Sequence, residues 1–252
     1  INTFPNFCLI VILGKIFTLY AMSGIRQFIA MAICWWAIKI LLDKQKILLF
    51  IAMTAIAYSL HASALIILPI VLFYKRKFSY VTALIIIIIA LIISYSSLTF
   101  FASTADISDL VNERLSGYLS RTGNEETMNM LNYFENFLFL FLALIARKEA
   151  VKKVPYYDFF LYLFIIYCAF LIAGANVGII KRLRDYYIIS YAFIIPGIFY
   201  LFKEKKVQNI TRLLFIAYFI FLFFRSLTVY DSAFHEDEYN RMVPYHSVLE
   251  MP

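Results

Sequence analysis

Charged residues make up only 15% of this 252-residue chain, whereas hydrophobic residues make up 63%. A soluble domain does not need so much apolar surface, so this balance excludes an ordinary soluble fold. Glycine-rich nucleotide loops, a nucleophile elbow and the zinc motif HExxH are also absent from the sequence. An enzyme of this composition would use a donor that is already activated, and we predict neither a cofactor nor a metal.

Cysteine is rare as well, and Cys8, Cys34 and Cys168 all lie in apolar stretches. This placement favours neither a disulfide framework nor a metal site. The net charge of +7 is not arranged as the basic stripe of a nucleic-acid-binding protein, so we predict no nucleic-acid partner. Basic loops that contact anionic membrane lipid account for it. Because Ile1 is not an initiator methionine, we expect a native N-terminal part to precede it.

Long apolar runs dominate the remaining sequence, and the mean hydropathy is +0.80. Several runs approach the roughly 20 residues that cross a hydrocarbon core as a helix. They are continuous rather than alternating, which disfavours strands. We therefore predict an all-α, polytopic transmembrane helical bundle, with residues 1–252 forming a single integral membrane domain. The apolar segments are Phe4–Ala21, Gly24–Leu42, Ile47–Tyr74, Tyr80–Phe101, Met128–Ala146, Tyr157–Gly174, Tyr186–Phe202 and Leu213–Val229.

The segment Ile47–Tyr74 is exceptional because basic residues flank both of its ends, at 44–46 and 75–77. Basic loops normally face the cytoplasm, so both ends are predicted to lie inside, which forbids a single crossing. The segment is also long for one span and short for two. A re-entrant helical hairpin over residues 47–74 satisfies these constraints, with its break near His61, between Ser59 and Ser63.

With this hairpin, seven crossings place every lysine-rich loop inside. A loop at residues 102–127 and a tail at residues 230–252 are then predicted to lie outside, and both carry net negative charge. The stretch Gly174–Tyr187, which contains Lys181, Arg182 and Arg184, falls outside too. Basic residues are uncommon there, so this stretch suggests an anionic ligand.

The type of basic residue differs between the two sides. Fourteen of the 23 basic residues lie inside on this topology, and only three of those are arginine. The outer half holds Lys15, Arg26, Arg114, Arg121, Lys181, Arg182, Arg184, Arg225 and Arg241. A positive charge is enough to keep a loop on the cytoplasmic side, so lysine serves there as well as arginine. The planar guanidinium of arginine can in addition bind phosphate or carboxylate through two parallel hydrogen bonds. The outer arginines therefore favour a phosphate site.

Two pairs of residues are the first candidates for this site. Arg182 and Asp185 share a helix face at i,i+3, which predicts an arginine oriented by a carboxylate. Arg26 and Gln27 open the second apolar segment, where a charged group is costly unless it meets a partner or water. The alternative for both arginines is an ordinary anchor at the membrane interface.

His61 could bind phosphate, relay a proton or act as a general base, or it could be a packing histidine flanked by small residues. His235 and Glu236 could supply a catalytic base, although their surroundings are typical of a solvated acidic tail. Lys15 is predicted to snorkel to the interface. Most tyrosines near the predicted interfaces, among them Tyr186 and Tyr187, are predicted to form the aromatic belt, although a few could stack on a sugar.

The residues SGIRQ at Ser23–Gln27 and YSLHASALIILP at Tyr58–Pro69 resemble the EpsG/Wzy-type bacterial polysaccharide polymerases. Two later features are similar to this family: KRLRDYY leading into a segment with Pro196, and Pro244-Tyr245 followed by Ser247 in the tail. The resemblance covers most of the chain. Each motif alone is only weakly specific for the family. The order and spacing of the motifs along the chain are more specific.

The resemblance implies a glycosyltransferase that polymerises undecaprenyl-diphosphate-linked oligosaccharide repeat units into a surface polysaccharide such as an O-antigen, capsule or exopolysaccharide. Its site would face the outside of the bacterial cytoplasmic (inner) membrane. The lipid-linked donor and acceptor would be its partners, and a chain-length regulator is a further partner that it suggests. The diphosphate leaving group would be held by Arg26, Gln27, Arg182 and Arg184. The acceptor's base would be one of His61, Asp185, Glu236 and His235.

The sequence is also compatible with two other classes of protein. A flippase for lipid-linked sugars would bind the same diphosphate without chemistry, although inverted repeats are not evident. A ligase or acyltransferase would use the same side of the membrane with another acceptor.

Overall fold

The computed structural model describes residues 5–15, 24–103, 130–174 and 178–228. Within these ranges the chain is helical and contains no strand, as the composition predicts. The α-helices are α1 (Pro5–Ile12), α2 (Ile25–Lys44), α3 (Ile47–Leu60), α4 (Tyr80–Ser103), α5 (Met130–Lys153), α6 (Tyr157–Ala173), α7 (Gly178–Arg184), α8 (Tyr191–Ile198) and α9 (Lys205–Thr228). The described residues also form three 3₁₀ helices, η1 (Ala62–Leu72), η2 (Asp185–Ser190) and η3 (Phe199–Leu201).

Two helices extend past the apolar segments that predict them. Helix α5 continues through Arg147–Lys153, which the sequence suggests is a loop. Lys, Arg, Glu and Ala are good helix formers, and the basic residues of its last turn complement the helix dipole. Helix α9 likewise begins at Lys205 rather than Leu213. Hydropathy marks the part of a helix that lipid can solvate, not the ends of the helix.

Helix α6 and the continuous helical run 178–201 form the centre of the bundle. Nearly every side chain of α6 is buried, and so is every side chain of α8. The surrounding helices expose large apolar side chains outward, for example Leu48 of α3, Val81 of α4 and Phe221 of α9. Soluble proteins rarely expose contiguous apolar faces of this extent. The outer surface is therefore suited to lipid.

Two described helices are long and apolar enough to cross a membrane, Ile25–Lys44 and Lys205–Arg225. Other apolar helices among the described residues are shorter, including Tyr80–Tyr95 and Tyr157–Ala173. The predicted segment at Tyr186–Phe202 is divided by the 3₁₀ helices η2 and η3. The predicted outer loop lies outside the described residues except for its first two positions, and the predicted tail lies wholly outside them.

The chain from α3 to η1 reverses direction at His61, whose backbone is extended (φ −153°, ψ 117°). Near the start of α3, the Tyr156 hydroxyl donates to the carbonyl of Leu42 over 3.4 Å. After η1, the backbone N–H of Ser79 donates to the Tyr162 hydroxyl over 2.7 Å. Tyr156 directly precedes α6 and Tyr162 lies in its first half, so the two ends of this segment lie at the same end of the bundle.

Lys15 does not snorkel to an interface. It forms an ion pair with Glu135 of α5, and its ammonium lies 4.9 Å from the centre of the Tyr191 ring. Both charged side chains are largely buried. Breaking such a buried pair by removing one partner costs on the order of 3–5 kcal/mol. The prediction for Lys15 was wrong because its partner lies far away in the sequence.

Candidate functional site

The first turn of α2 contacts α7 at one end of the bundle. Lys203, which follows the helical run 178–201, lies at the other end. Gln27 Nε2 donates to the backbone carbonyl of Arg182 over 3.1 Å. Gln27 is buried, whereas the side chains of Arg26 and Arg182 are exposed. The structure therefore brings two of the three predicted arginines, Arg26 and Arg182, to one place, and Gln27 supports the backbone there.

His61 lies beside these arginines, in the connection between α3 and η1 and outside both helices. Its Nδ1 is hydrogen-bonded to Ser63 Oγ. Ser63 Oγ also donates to the Tyr186 hydroxyl over 3.2 Å, and that hydroxyl lies 3.4 Å from His61 Nδ1. Ser59, by contrast, donates to the carbonyl of Ile56 on its own helix. Of the two serines that flank the break, only Ser63 contacts the imidazole.

The electrostatic surroundings of His61 are positive. Partial burial lowers the pKa of its imidazole, and the charges of Arg182 and Arg26 lower this pKa further. The sign follows from simple electrostatics, because desolvation and neighbouring cations both disfavour the protonated ring. His61 is therefore neutral at neutral pH, the form in which a ring nitrogen can accept a proton.

Asp185 is oriented differently from the sequence prediction. Its carboxylate pairs with Arg184, whose Nη2 lies 2.9 Å from Oδ1, rather than orienting Arg182. Asp185 is only 3% exposed, and a buried carboxylate requires a charged or hydrogen-bonding partner. The Arg184 guanidinium also lies over the Tyr167 ring of α6, 5.3 Å from its centre. Arg184 and Asp185 thus belong to the interior, whereas Arg182 faces outward.

Tyr186 and Tyr187 are not interfacial belt residues. Both are almost completely buried in η2, and the Tyr187 hydroxyl donates to the carbonyl of Ile66 in η1. Trp35 Nε1 of α2 donates to the carbonyl of Tyr186 over 3.0 Å. The Tyr187 bond holds η2 against η1, and the Trp35 bond holds η2 against α2. Tyrosine beside a charged cluster gives the same sequence signal in a belt and in a core, so the sequence did not distinguish them.

Two predicted candidates for the base remain, and a metal site was also considered. His235 and Glu236 fall outside the described residues. Within the described residues, no three His, Cys, Asp or Glu side chains are grouped as metal ligands.

In its described residues the chain is a helical bundle with apolar outer faces, and two arginines lie beside a neutral histidine at one end. These features are characteristic of a helical membrane protein with a polar site. A family model, that of the EpsG family, matches residues 1–247, and the chain belongs to this family. The family is associated with polysaccharide polymerisation. No curated protein and no solved structure matches the chain.

Proposed function

We propose that this protein is a membrane glycosyltransferase that polymerises undecaprenyl-diphosphate-linked repeat units on the outer leaflet of the bacterial cytoplasmic membrane. The observation that carries the proposal is the grouping of Arg26, Arg182 and His61 at one end of the bundle. Two exposed guanidinium groups can bind a diphosphate, and a neutral imidazole beside them can accept a proton. Family membership supports the same class of reaction.

The run 178–201, which has Arg182 near its start and is followed by Lys203, supports a site that faces outward. At an α-helical rise of about 1.5 Å per residue, this run is about 35 Å long, enough to cross a hydrocarbon core of about 30 Å. Lys203, Lys205 and Lys206 lie beyond its far end, and a cluster of lysines favours the cytoplasmic side. Arg182 is then outside. In this arrangement the protein has seven crossings, and the segment 47–74 is a re-entrant hairpin that brings His61 up to the site from the cytoplasmic side.

The reaction requires one bond to form and one to break. The acceptor hydroxyl oxygen attacks the anomeric carbon of the donor sugar, and the bond from that carbon to the diphosphate oxygen breaks. The leaving lipid diphosphate takes the electron pair, and Arg26 and Arg182 stabilise the charge that develops on it. His61 accepts the proton of the acceptor hydroxyl. The growing glycan is thereby transferred onto the next lipid-linked unit.

Reconstitution of the purified full-length protein with lipid-linked repeat units tests this proposal. We expect a ladder of polymer lengths on the lipid when the products are separated by gel electrophoresis. A flippase would instead move the substrate across the bilayer without lengthening its glycan. A ligase or acyltransferase would modify another acceptor and also produce no ladder, so either result would refute the proposal.

A cysteine at position 177 tests the topology separately. In Val177→Cys, we expect an impermeant thiol reagent added outside intact spheroplasts to label the protein. The native cysteines Cys8, Cys34 and Cys168 are buried, so the parent protein should be labelled weakly and serves as the control. Labelling of Val177→Cys only after lysis would place the site on the cytoplasmic side.

A further inference from the structure

We propose that Arg147 of α5 and Asp158 of α6 are positioning residues: their ion pair fixes one end of the hairpin formed by α3 and η1 and so sets the place of His61 in the site at the other end. The inference rests on the proposed function for its effect on catalysis. Its structural part can be tested without any assay of activity.

The ion pair has the geometry of a fork with two bonds. Arg147 Nε donates to Asp158 Oδ1 over 2.8 Å, and Arg147 Nη2 donates to Asp158 Oδ2 over 2.9 Å. Only 26% and 21% of the two side chains are exposed. Two parallel bonds between charged groups fix the orientation of the partners as well as their distance. The pair therefore joins α5 to α6 in one arrangement.

The chain that leaves η1 is bonded to this fork. The backbone N–H of Phe78 donates to Asp158 Oδ2 over 3.3 Å, and the Arg147 guanidinium lies 4.9 Å from the centre of the Phe78 ring. The next backbone N–H, that of Ser79, donates to the Tyr162 hydroxyl of α6 over 2.7 Å. Two successive residues after η1 are thus held by α5 and α6.

The buried side chains of η1 are apolar and spaced three residues apart. They are Ala64, Ile67 and Ile70. Residues three apart are eclipsed in a 3₁₀ helix, so these side chains form one straight ridge along the axis. Apolar contacts are non-directional, so the position of η1 along its axis depends on directional bonds. These include the bond from Tyr187 to the carbonyl of Ile66 and the bonds at Phe78.

A displacement of the chain at Phe78 reaches His61 through η1. This helix has eleven residues, and at about 2.0 Å per residue it is about 22 Å long. His61 directly precedes its first residue, and Phe78 follows its end. A misplacement of about 1 Å caused by a mutation far from the chemistry can lower a rate about 10²-fold. The fork can therefore affect catalysis without touching the substrate.

The titration of His61 reports its position relative to the arginines of the site. Arg26 from α2 and Arg182 from α7 lower the pKa of this imidazole. Tyr186 from η2 is the titratable group in hydrogen-bond contact with the ring. If His61 recedes from the two cations, its protonated form becomes less unfavourable and its titration midpoint moves to higher pH.

Nitrogen NMR of the full-length protein in lipid, labelled with ¹⁵N-histidine, gives this midpoint. The chain has three histidines, and His235→Gln and His246→Gln assign the His61 signals by elimination. We expect Arg147→Ala and Asp158→Ala each to raise the midpoint by about half a pH unit, the size expected when a cation recedes by a few ångströms. The shared direction distinguishes movement from charge, because removing a distant cation and removing a distant carboxylate would have opposite electrostatic effects.

Lys152→Ala is the matched control. Lys152 forms an ion pair with Glu149 over 2.8 Å, but this pair lies within α5 and more than half of each side chain is exposed. The His61 midpoint should not change in this variant. The double variant Arg147→Ala/Asp158→Ala should show no larger shift than either single variant, because both substitutions remove the same link.

Arg147→Lys provides a milder test in case the alanine variants do not fold. Lysine keeps the positive charge but lacks the planar fork. We therefore expect a shift of the His61 midpoint in the same direction as in Arg147→Ala, but smaller.

The kinetic arm uses the reconstituted polymerisation reaction. We expect Arg147→Ala to lower kcat at least about tenfold, while KM for the lipid-linked donor stays unchanged because Arg26 and Arg182 are intact. The fall of the rate at low pH should move to higher pH together with the NMR midpoint. Lys152→Ala should keep the kcat and the pH profile of the parent protein.

The two arms separate the possible failures. An unchanged His61 midpoint in the folded variants at Arg147 and Asp158, shifts of opposite sign in the two alanine variants, or an equal shift in Lys152→Ala overturns the inference even if polymer forms. A parent-like kcat in a variant whose midpoint moves overturns its catalytic part. If the midpoints move as expected but no polymer forms with any lipid-linked substrate, the proposed function fails and the positioning of His61 stands.

Discussion

Replacing Arg182 with alanine should abolish polymer formation while single repeat units accumulate on the lipid carrier. Arg182 is exposed at the site, and its backbone is held by Gln27, so its guanidinium can bind the diphosphate as charge develops on it. Removing one preorganised donor to such a charge typically lowers kcat by about 10²–10³-fold. Gel separation of lipid-linked glycans measures both the lost polymer and the accumulated unit.

Two further variants show whether charge or geometry matters at this position. Arg182→Lys keeps the charge but loses the planar fork, and we expect it to restore only part of the activity. Lys206→Ala removes an exposed cation at the opposite end of the bundle and should leave chain lengths normal. Normal polymer in a well-expressed Arg182→Ala protein would remove this residue from the mechanism.

Replacing His61 with alanine should have an effect of comparable size. Loss of a positioned general base costs about 10²–10⁴-fold, and here the loss should appear in kcat rather than in KM for the donor. The measurement is the initial rate of polymerisation in reconstituted membranes over a range of substrate concentrations. Ser59→Ala changes a serine two residues away that is bonded to its own helix; it is the control and should keep full activity.

The pH dependence provides an independent check on His61. Because burial and the two arginines lower its pKa, the ring stays neutral down to a lower pH than an ordinary histidine. The rate should therefore be constant near neutral pH and fall only below the usual titration range of histidine. Arg26→Gln removes one of the cations, so it should move this fall toward higher pH. A fall already centred at or above the ordinary histidine pKa would contradict the role of His61 as the base.

The sequence predicted the positions of Arg26 and Arg182 but not the surroundings of Arg184. Arg26 and Arg182 were predicted as members of one outer site from the types of basic residue on the two sides, and the structure brings them together beside His61. Their role as ligands of the diphosphate stays a prediction. Arg184 could not be separated from Arg182 in the same way, because both carry the same charge two positions apart. Only the buried carboxylate of Asp185 and the ring of Tyr167 reveal that Arg184 faces the interior.

The phase of the helices explains why side-chain partners were harder to predict. An α-helix turns about 100° per residue and a 3₁₀ helix about 120°, so the two differ by about 20° for every residue. Over the six residues of η2, the faces rotate by about 120° relative to an α-helix. An α-helical wheel therefore becomes steadily less accurate along η2, and the error at the far end of the longer η1 is greater still.

The sequence by itself determined the class of this protein, its helical content and the contrast between lysine-rich and arginine-rich ends. Each of these properties depends on the hydropathy and charge of short stretches of chain. Both quantities can be read from the sequence without knowing how the helices pack. The tertiary structure alone decided that Lys15 meets Glu135, that Arg184 faces inward, and that Ser63 and Tyr186 surround His61. The contacts of Lys15 with Glu135, of Arg184 with Tyr167 and of His61 with Tyr186 join residues far apart in the chain. Their free energies depend on which helices pack together and on how each helix is rotated about its axis.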